Sequence, residues 1–497
     1  MNRRQFLCYG LGCAGAGLFS LGLTGLVSPK SLGGGLSYSS TVSSTTTAGS
    51  GSSSPYSSLP DYQDFLSWLH AVAGPYSGES VNISLEAEFG PYSTQLIAND
   101  FSGAAGIKSQ YDIRPYALQL QDVSLMSETK SSAYDAYSLD VQNLGVFPNL
   151  PISPYTLAEK YPDLTYLNPA TDFPDFNRFA WSHVATYPPD LSGGPGGSSA
   201  VDVGLLPFDT PTLVLFYRTD IYQKLGLTPP ATWDEHFANS QAIQKSGLTP
   251  FGSASMAGTD VAIIYEYQAH LSDFGGSLWN VEGNTIIPTL NTDAALAALE
   301  GFVRFEPLSD PGSQSYTWDD VFNSVSRELA PHALMFDGYA NWINNSQRSL
   351  VSGLVGYAKL PAGPKGAWHP YAGSGIGVSS YSKNPEAAWL WIQWAVAKGA
   401  QEAKILGQYH NFPTRSSVLE APEVASALQT GSLTIANLMN EIWGANSITT
   451  LIGFPQWFAA GNIIAEALNT AWKGIVAPSS ALANAQARLE QLGTLTF

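Results

Sequence analysis

Rings and planar polar side chains are the chemistry this sequence offers: 13 Trp, 24 Tyr and 22 Phe stand beside a charged fraction of only 12%. Aromatic faces suit the C–H surfaces of a polyhydroxylated molecule, and Asp, Glu, Asn, Gln and Arg offer two-pronged partners to its hydroxyls. The pairing favours an uncharged ligand over an ionic one and calls for no cofactor, although rings are also ordinary core material. Catalytic patterns do not stand out. The seven histidines show no metal-ligand spacing and no HExxH, and there is no G-x-S-x-G serine elbow. Cys8 and Cys13 both lie near the N-terminus, which leaves the body of the chain without a disulfide, a thiolate nucleophile or an iron–sulfur site. Ser192-Gly193-Gly194-Pro195-Gly196-Gly197 lacks the Lys-Ser/Thr of a phosphate-cradling loop and reads as a linker.

At 497 residues the chain exceeds the ~250–300 at which one core stops growing, so two lobes or more are expected. A formal charge of −18 makes nucleic acid and anionic membranes poor partners. The scarcity of Lys and Arg would limit charge repulsion in an acidic medium, where carboxylates protonate. Arg3-Arg4 before the uncharged run Phe6 to Val27 reads as a Tat-type export signal or an N-terminal anchor over residues 1–30. Cleaved, lipidated at Cys13 and retained forms are all open. Residues 31–60, almost all Ser, Gly and Thr, read as a flexible tether.

The elements that must position the polar and aromatic groups are legible in order. Asp61 to Val72 has helical apolar spacing, Val81 to Leu85 alternates as a strand closed by Gly90-Pro91, Tyr92 to Phe101 suits a helix, and a second strand ends near Arg114. Strand, helix, strand implies parallel pairing. Leu213 to Tyr217 is an unbroken apolar run, a strand buried on both faces, with Pro207 and Pro211 keeping the residues before it out of a central ladder. A short helix ended by Gly226, a Thr232/Glu235 capping box ending near Gly247, a strand at Leu248 to Gly252 and a helix at Val261 to Leu271 follow. Ala333 to Tyr339 reads as a strand carrying Asp337, Tyr339 and Trp342 to its C-terminal end, and Val355 to Leu360 as one turning back. Asn384-Pro385-Glu386 starts a helix with Pro in its first turn.

Several of these pieces, taken in series, resemble the family 1 extracellular solute-binding proteins, the carbohydrate-binding subunits of ABC importers of the maltose, trehalose and polyol type. They are Pro207-Phe208-Asp209, the strand ending in Tyr217-Arg218-Thr219-Asp220, Thr232-Trp233-Asp234-Glu235, Pro361-Ala362-Gly363, Asn384-Pro385-Glu386-Ala387-Ala388-Trp389 and Pro413-Thr414-Arg415. The resemblance runs from Val81 to the C-terminus and is weakest between Tyr155 and Ala200. It implies an α/β, periplasmic-binding-protein-like fold of class II: two lobes with mainly parallel sheets and a three-segment hinge. The crossings would lie near Phe208 to Tyr217, Leu360 to Ser374 and Phe412 to Ser417. The lobes would comprise residues 61–208 with 368–415, and 209–367 with 416–497.

It also implies a ligand cleft. Asp140, Gln142 and Asn143 match a loop that holds sugar hydroxyls in the family; a helix cap is the other role open to them. Glu88 and Phe89 end the first strand at the same edge. Asp209 stands where polar hinge residues reach the cleft, or else caps a turn. Asp337, Tyr339 and Trp342 match a Gly-Trp cleft segment, but the family's Gly-Pro-Trp is here Gly338-Tyr339-Ala340-Asn341-Trp342, so the stacking ring is either Tyr339 or Trp342. Trp368 and Tyr371 flank the second crossing, and Trp457 falls where the family uses a C-terminal aromatic or a core ring. Pro211 replaces a Glu of some maltose-binding relatives. The expectation is a monomeric, exported subunit that binds a neutral carbohydrate or polyol without cofactor or metal and delivers it to a permease, periplasmic or tethered to the outer face of the cytoplasmic membrane. The rivals are an exported carbohydrate-active hydrolase, whose carboxylate pair could assemble from distant segments, and a Tat-exported redox enzyme.

Overall fold

The computed structural model describes residues 56–189, 203–407, 413–427 and 451–497, with a few positions between 428 and 450. The export signal, the tether up to residue 55, the Ser192–Gly197 linker and Phe412 lie outside the described residues. Pro60, the last expected tether residue, instead opens helix α1 (Pro60–Val72) from its first turn.

The first half forms as β1 (Ser80–Glu86), α2 (Phe89–Leu96), α3 (Ala98–Ala105), β2 (Lys108–Arg114), α4 (Tyr116–Thr129) and β3 (Ala136–Asp140). The expected helix over Tyr92 to Phe101 is two helices, broken at Ile97, and the first begins at Phe89. Glu88 therefore precedes a helix rather than ending a strand, and Gly90-Pro91 lie inside the first turn, where the N–H that Pro lacks has no helical partner.

β1 pairs in parallel with β2 and with β3. On the far side of β3 runs β8 (Ser374–Ser379), antiparallel to it, from Ser374 beside Asp140 to Val378 beside Ala136. β8 also takes β4 (Leu206–Asp209), antiparallel, with a register shift between Ser374 and Gly375. Pro207 is thus admitted to the sheet on an edge strand, which is where a residue without an N–H is tolerated.

A second sheet has β5 (Leu213–Arg218) between β7 (Val355–Ala358) and β6 (His332–Phe336), antiparallel to both. Leu213, Val214, Leu215 and Phe216 are fully buried. The run Leu248 to Gly252 forms a series of bends rather than the expected strand, because Pro250 can donate no ladder hydrogen bond. Pairing resumes at Ser253 with Ser309 and at Ala254 with Ala333, both in parallel. Around this sheet pack α5 (Thr219–Leu225), α6 (Trp233–Ser246), α7 (Val261–Asp273), α8 (Asp293–Val303), α9 (Trp318–Ser326) and α10 (Tyr339–Ile343). Gly226 and Gly247, at φ of 67° and 69°, end α5 and α6 in the left-handed conformation that glycine adopts without strain. Thr232 Oγ1 accepts from Glu235 N at 3.2 Å, and Thr317 forms a full capping box with Asp320.

Each sheet has its own apolar core. One gathers Tyr62, Phe65, Phe208 and Ile376 with Trp389, Trp391 and Trp394 of α11 (Pro385–Val396). The other gathers β5 and β6 with Ile263, Phe302, and Trp457 and Trp472 of α13 (Trp457–Trp472). The chain passes between the sheets at Thr210-Pro211-Thr212, joining β4 to β5, and again from β7 to β8. A third passage leads from Ala403 of α12 (Lys398–Leu406), in the first core, to Val418 in the second.

Candidate functional site

The carboxylates of interest stand where strands end. β1 closes on Glu86, β3 on Asp140 and β4 on Asp209, while Asp337 follows β6. Open α/β sheets place ligands outside the carboxyl ends of their strands. Here the edges of the two sheets face one another across a cavity lined by Ala87, Glu88, Phe89, Asp140, Pro211, Tyr265, Trp318, Asp319, Phe336, Tyr339, Trp342 and Ala372. Its volume, about 20 Å³, holds about one water, so the cleft is closed on its own side chains.

Phe89 makes the closure. It is carried by α2 on the first sheet, yet packs into the second core, its ring centroid 4.8 Å from Tyr339 and 5.1 Å from Trp342, both nearly edge-on. Tyr116 meets Trp318 across the same gap at 5.9 Å. Tyr265 Oη donates to Gln142 Oε1 at 3.4 Å, and Gln142 Nε2 donates to Asp140 at 3.0 Å and to Tyr116 Oη at 3.2 Å. Asn143 Nδ2 also donates to Tyr116 Oη, while its Oδ1 has no partner among the described residues.

Carboxyls crowd this space with little to balance them. Glu86, Glu88 and Asp140 each offer an oxygen within 4.8 Å of the other two. Burial first, then the Asp140 charge, pushes Glu86 and Glu88 well up; burial lifts Asp140 to about 6. A hydrogen bond between the Glu86 and Asp140 carboxyls accounts for part of this, raising the first and restraining the second. Asp209 is lifted to about 7 by burial, against the Gly90 N–H that it accepts at 2.7 Å and the nearby Lys404. Asp337 rises to about 7 through burial, with the Asp209 charge adding to it; its Oδ1 accepts from Thr212 N at 2.8 Å and its Oδ2 has no partner among the described residues. Burial also raises Asp319, which accepts from Tyr339 Oη at 2.5 Å. Three close carboxylates are oxygen ligands of the kind Ca²⁺ takes, but fewer than the ~6–8 it usually gathers.

Glu88, Phe89, Asp140, Tyr339 and Trp342 thus line the cavity, with both candidate stacking rings present. Gln142, Asn143, Asp209 and Asp337 stand directly behind it. Trp368, Tyr371 and Trp457 are not among the lining residues. Trp368 N donates to Asp273 at 2.7 Å, Tyr371 Oη donates to Phe179 O at 3.0 Å, and Trp457 is buried against Phe454. Sequence reading passed over Tyr265, Trp318, Asp319 and Phe336. For Trp318 and Asp319 the signal was there, in the capping box that starts α9 at the end of the cleft.

The family model for bacterial extracellular solute-binding proteins matches residues 155–402, about half of the chain. The chain belongs to that family. Among the relatives of this solute-binding protein is a probable amino-acid ABC transporter periplasmic-binding protein of Sinorhizobium fredii, 23% identical over 389 residues, 74% of this chain and 80% of the relative. An erythritol/L-threitol-binding protein of Mycolicibacterium smegmatis is 21% identical over 356 residues, 69% and 72% of the two chains. Among solved structures, an ABC transporter solute-binding protein from Agrobacterium radiobacter in complex with ribitol superposes with a TM-score of 0.70 at 19% identity, covering 84% of this chain and 99% of that one. Maltose-bound MalE3 of T. maritima gives 0.70 at 18%, covering 84% and 100%. The shared architecture is that of the maltose-binding type, two lobes about a three-segment hinge.

Proposed function

We propose that this solute-binding protein captures a sugar, oligosaccharide or polyol between its lobes and delivers it, unaltered, to the membrane permease of an ABC importer. The observation that carries the reading is the cavity wall itself: six rings and three carboxylates drawn from both sheets, with no Lys, Arg or His among the described lining residues. A free amino acid would bring a carboxylate into a space with no cation to meet it, a costly burial. The polyol and sugar ligands of the neighbours named above point the same way.

In this reading the lobes comprise residues 61–208 with 368–415 and 209–367 with 416–497. Glu88, Phe89, Asp140, Tyr339 and Trp342 meet the ligand, backed by Gln142, Asn143, Asp209 and Asp337. The ligand sits beside the Phe89 contact with Tyr339 and Trp342 and bridges the lobes, which favours the closed form by differential binding. The protein works as an exported monomer, carried out through the Arg3-Arg4 segment and held near the membrane by its tether.

Thermal shift and calorimetry against a panel of sugars, polyols and oligosaccharides test the proposal. A ligand at 100 times its Kd should stabilise the fold by about 2.7 kcal/mol and be recovered intact. Failure of every panel member to stabilise the protein would defeat the reading, and cleaved product would move it to a hydrolase using the Glu88 and Asp140 carboxyls.

A further inference from the structure

The cleft asks for positive charge. Glu88, Asp140 and Asp319 lie on its wall, Glu86 is within carboxyl reach of the first two, and no basic side chain lines the cavity among the described residues. The balancing cations stand off the wall: Arg348 lies over the Trp342 ring at 4.3 Å and acts on Asp319, and Lys404 is buried beneath Asp209, where its Nζ donates to Thr94 Oγ1 at 3.4 Å and Ala395 O at 3.3 Å. Two further acceptors behind the wall, Asn143 Oδ1 and Asp337 Oδ2, are 1% exposed as residues and have no donor among the described residues. The unpartnered polar atoms behind this wall are thus acceptors, and the wall itself presents carboxyl groups.

The rings complete the pattern. Phe89 stands at 80° to Tyr339 and at 67° to Trp342, and Tyr339 at 80° to Trp342, while Phe322 stacks on Tyr339 and the Arg348 guanidinium lies over the Trp342 ring at 4.3 Å, so that a cation already rests on one ring of this wall. Aromatic faces set at steep angles beside carboxylates are the arrangement that holds ammonium groups, through the ring quadrupole and charge-assisted hydrogen bonds together. A divalent metal would use the oxygens but gain little from the rings.

We propose that the ligand of this cleft is an aminated carbohydrate, an amino sugar or amino polyol, whose protonated amine sits between the Glu88 and Asp140 carboxylates and the Phe89–Tyr339–Trp342 rings. This rests on the carbohydrate reading above and departs from the uncharged ligand that composition suggests.

The test is calorimetry at pH 7 with matched pairs that differ only in one amine, glucose against glucosamine and glucitol against 1-amino-1-deoxyglucitol, extended to aminated and plain disaccharides. Calcium chloride and tetramethylammonium chloride are titrated separately. The aminated member should bind roughly tenfold tighter or better, about what one ring contact and one charge-assisted hydrogen bond supply. Glu88→Gln should erase most of that preference, weakening the aminated member several-fold more than the neutral one, with the circular dichroism unchanged. Equal or tighter binding of the neutral members overturns the inference and leaves the carbohydrate reading standing. Binding of tetramethylammonium with no carbohydrate of either kind overturns the carbohydrate reading and the aminated-sugar assignment with it. Calcium binding that displaces the aminated ligand, and is lost in Glu88→Gln, overturns the amine in favour of a metal. No binding anywhere in the panel overturns both readings.

Discussion

Gly338 shows how much one side chain decides here. Its φ of −56° is ordinary helical backbone, so alanine brings no conformational strain, but a Cβ at 338 would overlap the Phe89 ring. That overlap exists only while Phe89 is seated across the cleft. Overpacking of this kind costs ~1–3 kcal/mol, so Gly338→Ala should reduce the closed population and ligand affinity by roughly 5- to 150-fold. Its melting temperature without ligand should hardly change. Small-angle scattering in the presence of ligand reads the opening directly; a variant that binds as tightly as the parent would show that Phe89 does not insert in the working closed form. The residues flanking this contact were readable in the sequence because Glu88, Asp140 and Asp337 follow strands whose ends are marked. Tyr265 and Phe336 were not, since each looks like core until the second sheet is set opposite the first. Tyr371 fails for the complementary reason: its hydroxyl finds Phe179 O, a partner 192 positions away, and no local pattern records that.

At the level of elements, α2 depends on a strand, β4, that the sequence does not announce. β4 was expected to stay outside a central ladder because of its prolines, and its position at the sheet edge follows that rule while delivering Asp209 to the start of α2. The helix has no side-chain cap of its own, and the Asp209 carboxylate supplies one by accepting from Gly90 N at 2.7 Å. Asp209→Ala would leave that buried N–H unsatisfied and should destabilise the fold by ~1–3 kcal/mol, with weaker ligand binding because α2 carries Phe89. Asp209→Asn retains an acceptor and removes a group whose charged form is disfavoured by burial. It should lie close to the parent near pH 4 and above it in stability at pH 8. Chemical denaturation at both pH values separates the two variants, and equal losses in both would mean that the Gly90 contact contributes nothing. The break at Ile97 was invisible to periodicity, since residues on either side keep helical spacing. The helices α6 and α9 were legible because capping chemistry is local, whereas pairing partners such as Ala254 with Ala333 are not.

Over the whole molecule, buried titratable groups set opposite demands on pH. Burial raises the carboxyls of Glu86, Glu88, Asp140, Asp209, Asp319 and Asp337 about the cleft, and those of Glu266 and Asp273, to about 7, and Asp260, to about 6, elsewhere. Because these folded-state values exceed the unfolded ones of 3.8 and 4.5, the folded chain binds the extra protons. Their contribution to stability is fully present below about pH 4 and is lost as pH rises through 6 to 7. Four buried histidines act the other way. His236 falls to about 3 and His369 to about 4, and His270 and His332 fall as well, each first through burial. Their contribution is present above 6.5 and is lost as pH falls through 4 to 3. The carboxyls outnumber the histidines, and a formal charge of −18 at pH 7 adds a self-repulsion that acid relieves. Stability should therefore peak near pH 5 to 6, with a melting temperature several degrees above that at pH 8 and a decline below about pH 4 as the histidines charge. Calorimetric scans from pH 3.5 to 8.5 in constant ionic strength measure this. Glu86→Gln combined with Asp140→Asn should flatten only the alkaline side, and a melting temperature that climbs steadily to pH 8 in the parent would mean that the cleft carboxyls are hydrated rather than buried.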